Sequence, residues 1–196
     1  MNEEVQVKKK SSMLVNLIVL TVTVIIFMGI FEIGLRIFYP QGDIFYEYDS
    51  LYGWIHPPGK TGYYIDGNRE YESFIQINSQ GFREEEFKEK NEFRIVVLGD
   101  SQAAAFEVAI EDRFDTILEK NLGNDYSVYN LGIQGYATDQ EYLTLITKAQ
   151  FLEPDLVILL FHTNDFEENS LGLTNIQKLY FNEEGQVVNN TEKTGK

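Results

Sequence analysis

Residues 13–31, MLVNLIVLTVTVIIFMGIF, run for 19 positions without a charge. At 1.5 Å of rise per residue such a helix is about 28 Å long, close to the thickness of a bilayer's hydrocarbon core. A cleaved signal peptide has a shorter apolar region and ends at small residues. Here the segment continues into EIGLRIFYP without such a site. The bland alternative is a buried core helix. Lys8, Lys9 and Lys10 precede the segment, which favours a cytoplasmic N-terminus. The expected partner is therefore the lipid bilayer, through Met13–Phe31, in a single-pass protein of the cell membrane. Gly34, Arg36 and Tyr39 then fall at the interface, and Pro40 closes the stretch.

The chain beyond Pro40 is expected to be extracytoplasmic. Residues 1–12 read as a cytoplasmic N-terminus, 13–35 as the transmembrane helix, 41–93 as a β-rich extracytoplasmic preface and 94–196 as an α/β domain. With 43% hydrophobic residues the chain has the material for a globular core. Its net charge of −15 argues against a nucleic-acid partner, which would need a basic surface. Cysteine is absent, so disulfides, thiolate catalysis and cysteine-ligated zinc are excluded. There are two histidines, His56 and His162.

The preface carries turn signals at Pro57-Pro58-Gly59, Thr61-Gly62 and Asp66-Gly67. YESFIQIN alternates like a half-buried strand and SQG turns after it. REEEFKEKNEF reads as a charged loop or short helix with a solvated acidic face. Beyond it, Ile95–Leu98, Tyr126–Asn130 and Leu156–Phe161 are short apolar runs without alternation, as in parallel strands covered on both faces. Their spacing is that of βαβ units. Phe114, Ile117 and Leu118 recur at helical spacing before Gly123; Tyr142, Leu143, Leu145 and Ile146 do so before Pro154.

In an open α/β sheet, ligands bind beyond the carboxyl ends of the strands. Gly99-Asp100-Ser101 follows the first strand, NLGIQGYATDQ the second and HTND the third. These residue types suit acyl transfer. A serine hydroxyl attacks an ester carbonyl, and fixed donors stabilise the charge that develops on its oxygen. The Ser101 N–H, the Gly135 N–H and the Asn164 side-chain amide are the candidate donors, with Asp100 and Asp165 as supporting carboxylates. Each has a plainer reading. Asp100 or Ser101 could cap the next helix, Gly132 and Gly135 could be turn residues, and Asn164-Asp165 could form an Asx turn.

These blocks resemble the SGNH hydrolases, the GDSL-type esterases and lipases. Gly99-Asp100-Ser101 is similar to the family's first block, and Asn130 to Gly135 to its N-x-x-x-x-G. His162-Thr163-Asn164-Asp165 is similar to G-x-N-D, with histidine in place of glycine. The blocks cover residues 94 to about 166. The membrane helix followed by YGW, NSQGFR and FRIVVLGDS looks like the membrane-anchored members. The resemblance implies a three-layer αβα, flavodoxin-like parallel sheet, here with about three strands. It implies Ser101 as nucleophile, and Ser101, Gly135 and Asn164 as the oxyanion hole. The implied activity is a serine esterase or O-acyltransferase on acyl esters, surface glycans among their carriers, with no cofactor and no metal.

The chain departs from the family pattern in one block. No D-x-x-H occurs, and 95 residues follow Ser101. An N-terminal fragment of low activity is the simplest expectation, with a shortened pseudoenzyme as the rival. His162 is read as a packed or hydrogen-bonded histidine before it is read as the missing base, and His56 lies in a Pro-rich loop. Without a base the serine is a weak nucleophile. The competing function is a non-catalytic module for binding or assembling surface glycans, using Trp54, Tyr63 and Tyr64. An oxygen-ligated metal phosphoesterase using Asp100, Asn164 and Asp165 is a third class. Gly99–Ala103 nearly meets the G-x-S-x-G elbow of α/β-hydrolases, but that fold places several strands before the serine.

Overall fold

A computed structural model describes residues 2–88, 93–169, 179–181 and 184–189. The chain divides into two compact units, 1–41 and 42–196. The first is one helix, α1 (Asn2–Phe38). Its stretch Ser12–Phe38 is long and apolar enough to cross a membrane, and none of it is buried within the protein. Leu, Ile, Val and Phe side chains face outward all round it, the pattern of a helix whose solvent is lipid. Thr21 and Thr23 return their hydroxyls to the carbonyls of Leu17 and Val19, at 2.9 and 2.8 Å. The helix runs three residues beyond the expected boundary at residue 35 and ends just before Pro40, whose ring disfavours a helical preceding residue.

The second unit is mixed α/β and begins with two antiparallel hairpins. In the first, β1 (Glu47–Asp49) pairs with β2 (Gly53–Ile55). Asp49 closes its turn by accepting the N–H groups of Leu51 and Tyr52, at 2.8 and 2.9 Å. In the second, β3 (Thr61–Ile65) pairs with β4 (Glu72–Gln76). Asp66 ties that turn by accepting the Asn68 and Tyr71 N–H groups. Alternation along β4 buries Ser73 and Ile75 and exposes Phe74, as the period of two requires. Asn78 then gathers the NSQGF turn, its Oδ1 accepting the N–H groups of Gln80 and Phe82 at 3.0 Å each.

A three-stranded parallel sheet comes next, in the order β6 (Tyr126–Asn130), β5 (Phe93–Gly99), β7 (Leu156–Leu160). The β5 side chains separate to two faces. Val96 and Leu98 pack with Leu131, Ile133 and Leu143, and with Tyr52 and Phe82 from the preface. Ile95 and Val97 pack with Val128 and, at the margin, Leu118. The preface therefore builds the core jointly with the sheet. Its second hairpin also supplies Ile75, which with Phe45 and Ile77 packs around Phe106. The helices are the one-turn α2 (Ser101–Ala104), α3 (Phe114–Leu122), α4 (Thr138–Thr147) and α5 (Asp165–Glu168). A last hairpin pairs β8 (Leu179–Phe181) with β9 (Val187–Asn189).

Four local readings are corrected. Strand β7 is not covered on both faces: as the outer strand it leaves Leu156, Val157 and Leu159 exposed by more than a third. In α3, Phe114 and Ile117 face outward while Asp115 is buried, because its carboxylate joins Arg113 and Asn130 inside. Tyr142 and Ile146 of α4 are likewise exposed, and Gln140, Glu141 and Thr144 share the buried face with Leu143. That helix ends at Thr147, not at Pro154, with a one-turn 3-10 helix at Ala149–Leu152 between them.

The REEEF stretch is not simply a solvated face. Arg83 is 1% exposed. Its neighbour Glu84 accepts from the Arg113 guanidinium and from the Asn130 N–H, and Arg113 also pairs with buried Asp115. Burial pushes the Glu84 carboxyl up, with Arg113 the main influence holding it down. Burial, then repulsion from Arg113, lowers Arg83 to about 10, so it is charged at neutral pH.

His56 is fully buried, its ring 5.0 Å from Phe106 and 6.3 Å from Tyr46. Neither ring nitrogen has a hydrogen-bond partner. Burial, aided by the Arg83 charge, lowers its pKa to about 4. The unfolded chain binds a proton at the ordinary value near 6.5 while the folded protein does not. The stability that neutral His56 contributes is therefore complete above that value and is lost as pH falls from 6.5 to 4. The loss is about 3 kcal/mol. His56→Phe, compared with wild type by urea unfolding in detergent micelles, should remove that share of the pH dependence. An unchanged slope between pH 7 and 4 would contradict it.

Candidate active site

Parallel pairing brings the ends of β5, β6 and β7 to one edge, with β5 in the middle. Gly99-Asp100-Ser101 leaves β5, the 131–137 loop leaves β6, and His162–Asp165 leaves β7. The sequence-derived candidates are thus gathered along one edge by topology alone.

Asp100, not Ser101, caps α2. Its Oδ1 accepts the Gln102 N–H at 2.8 Å, satisfying one of the free donors at a helix start. The Ser101 hydroxyl is left out of the cap. It sits on a half-buried residue and makes no hydrogen bond to a described residue. The turn closes through the Ala104 N–H to Asp100 O at 3.0 Å and the Ala105 N–H to Ser101 O at 2.8 Å. Ala105 lies in the left-handed region, φ 46° and ψ 52°, where a Cβ is strained.

The loop after β6 keeps bonding to β5 past the last strand residue. Leu131 N–H donates to Val97 O at 2.8 Å, and Ile133 N–H to Gly99 O at 3.1 Å. Asn130 braces it: Nδ2 donates to Ala103 O at 2.7 Å and Oδ1 accepts from Gly132 N–H at 2.9 Å. Gly135 has φ +76°. Trp54 lies across this loop, donating from Nε1 to Gln134 O at 2.9 Å, while the Tyr136 hydroxyl donates to Trp54 O at 2.8 Å. Trp54 thus helps to hold the Gly135 loop, while its side chain stays half-buried. Tyr64 is turned onto Phe106, and Tyr63 is exposed beside Phe74.

On the β7 side, Asn164 Oδ1 contacts His162 Nδ1 and its Nδ2 donates to Glu168 Oε1 at 3.2 Å. The amide group carries two N–H bonds, of which this contact uses one. Asp165 is fully buried and accepts the Thr138 hydroxyl at 2.9 Å. Burial pushes its carboxyl up, opposed by that hydroxyl and reinforced by the Asp100 charge. His162 is half exposed, with Nδ1 3.8 Å from Asp100 Oδ2. That carboxylate oxygen and Asp165 Oδ1 are buried without hydrogen-bond partners. Among the described residues no three His, Asp or Glu side chains converge to hold a metal ion.

Comparison with protein-family models, with curated proteins and with solved structures found no match. The geometry alone speaks for the site. Sequence reasoning missed Arg83, Arg113 and the supporting role of Trp54. No spacing signal marks a buried arginine, and a lone tryptophan reads as surface as easily as support.

The glycines give a graded test. A Cβ on Gly135 would lie 3.2 Å from Trp54 Cζ2 and sit at positive φ. Gly135→Ala should cost about 1–2 kcal/mol and shift the Trp54 emission. A Cβ on Gly132 would lie 2.5 Å from Ala103 Cβ and 2.7 Å from Ala104 N. Backbone cannot yield there, so Gly132→Ala should be the more damaging in the same unfolding assay. Equal costs would contradict the close approach.

Proposed function

We propose that this chain carries the nucleophile and oxyanion donors of a membrane-anchored serine esterase or O-acyltransferase of the SGNH type, acting on acyl esters. The observation that carries the reading is the placement of Ser101 at the end of the central strand. Its hydroxyl is left free by the Asp100 cap, and the Gly135 and Asn164 loops flank it on the same edge. In this reading Ser101 Oγ attacks the ester carbonyl carbon and gives up its proton to a base. The carbonyl oxygen takes the negative charge among the Ser101 N–H, Gly135 N–H and Asn164 amide. The alcohol leaves with a proton, and water or a sugar hydroxyl then takes the acyl group from the serine. Surface glycans are the acyl carriers proposed. The fold completing this reading is a flavodoxin-like αβα sandwich.

The base is an imidazole. His56 is buried among aromatic rings with a pKa near 4 and is unsuited to the task. His162 lies at the edge beside Asp100, but its Nδ1 is engaged with Asn164 Oδ1. It is therefore read as a hydrogen-bonded histidine before it is read as the base, which in the SGNH type belongs to a D-x-x-H block that does not occur in this sequence. The placement of Lys8–Lys10 before the apolar helix supports an N-terminus in the cytoplasm and the α/β unit outside.

Wild-type protein in detergent should hydrolyse a short acyl ester only slowly and be labelled slowly by a fluorophosphonate, as a serine without its D-x-x-H base would, and Ser101→Ala should abolish both. Activity or labelling that survives the substitution would overturn the reading. Asn164→Ala should lower kcat by about 10²–10³ with KM little changed. Orientation is open to a second test, because the chain has no cysteine. A membrane-impermeant maleimide applied to intact cells should label Gln150→Cys and leave Asn2→Cys unlabelled; the reverse pattern would invert the topology.

A further inference from the structure

Arg83 comes from the preface, outside the parallel sheet, yet its guanidinium ends on the turn that comes after Ser101. One terminal nitrogen donates to Ala104 O at 3.2 Å and to Ala105 O; the other donates to Val108 O at 2.6 Å. The group stacks over the Phe106 ring, 5.6 Å from its centroid. These carbonyls lie at and just past a helix end, where main-chain partners run out; Ala105 O also accepts the Val108 N–H at 3.3 Å, so there the guanidinium reinforces a backbone turn. Helix α2 has four residues, too few to hold its own shape. Two main-chain bonds close it, and one of them ends on left-handed Ala105. A strained residue of this kind persists where its surroundings over-determine it. Arg83 is the side chain that does so, since it grips the carbonyls of Ala104 and of Ala105 together. A one-turn helix moves as a body, so a shift at its exit turns Ser101 at its entry.

We propose that Arg83 is a positioning residue for Ser101: by gripping the carbonyls of Ala104, Ala105 and Val108 it fixes the turn whose first residue carries the nucleophilic hydroxyl. The role rests on the reading of Ser101 as nucleophile. Lysine at position 83 keeps the charge but cannot span three carbonyls, because it lacks the planar fork.

The test is Arg83→Lys in the full chain in detergent micelles, with two readouts. In amide hydrogen exchange, Ala104 and Ala105 should exchange about 10-fold faster or more, while Val96 and Val97 of β5 keep their protection. Unchanged exchange at Ala104 and Ala105 overturns the proposal. So does a parallel loss at all four amides, which is the mark of general destabilisation. In the second readout, the rate of Ser101 labelling by a fluorophosphonate should fall about 10²-fold, as for a misplacement near 1 Å. Its apparent pKa should stay constant and Arg83→Met should be slower still. Labelling of Arg83→Lys at the wild-type rate overturns the proposal. Absence of labelling in the wild-type protein overturns it through the Ser101 reading itself, a failure visible before Arg83 is changed.

Discussion

The contact between α2 and the loop after β6 sets the whole edge. Any side chain on Gly132 would strike Ala103 and the Ala104 nitrogen, and any on Gly99 would come within 2.7 Å of Ala103 Cβ. Two glycines and one alanine therefore let three backbone segments meet without side chains between them. Polar groups then lock the approach. Asn130 spans it, with its amide on Ala103 O and its oxygen on the Gly132 N–H. The loop bonds on to Gly99 O through Ile133 and carries Gly135 past the strand end under Trp54. Hydrophobic burial supplies the core, but it is this steric allowance that brings the Ser101 turn and the Gly135 loop to adjoining strands at close range.

A second constraint is electrostatic. Arg83, Arg113, Glu84 and Asp115 bring ionisable groups of both signs into the interior behind the edge. Apolar side chains of equal volume would avoid the desolvation cost of ions, and such replacements often stabilise proteins. They could not satisfy the carbonyls of Arg83 and Ala104 or the Asn130 N–H, which these ions serve. Leaving a buried backbone group unpaired costs about 1–3 kcal/mol each. The charges are thus tied to irregular backbone, and that backbone is the α2 exit and the β6 end. The preface contributes Arg83 and Glu84 to this arrangement and packs Tyr52 and Phe82 against β5, so it is structurally inseparable from the sheet.

Period and punctuation made much of this legible beforehand. The apolar run reads as a helix long enough to cross a bilayer because nineteen successive residues carry no charge. The β5, β6 and β7 runs read as strands because they are short and unalternating, and the sheet places them in parallel. Periodicity reports average polarity, and it failed where an inward position is held by a specific partner. Asp115 and Gln140 point inward because Arg113 and Tyr52 O await them, while Phe114 and Tyr142 are left outside. Arg83 and Glu84 sit in a run that reads as solvated, since nothing local distinguishes a charge with a distant partner from one in water. Of the site, the three strand-end segments were legible. The assignment of the cap to Asp100, which frees the Ser101 hydroxyl, required coordinates.

Charge at the edge bears on what could bind there. Asp100 and Asp165 are both buried, both carry an unpartnered oxygen, and the Asp100 charge helps to raise the Asp165 carboxyl. An anionic ligand entering beside them meets repulsion in a low-dielectric setting, where Coulomb terms are largest. The −15 net charge of the chain adds a long-range term of the same sign. A neutral acyl ester enters without that penalty and becomes negative only as the tetrahedral oxygen forms, at the atom the N–H donors would face. Burial lifts the Asp165 carboxyl, which lessens the charge that the forming oxyanion meets. On the proposed reading, the same carboxylates that brace the β5 and β7 ends select for substrates whose charge is born in the reaction rather than carried into it.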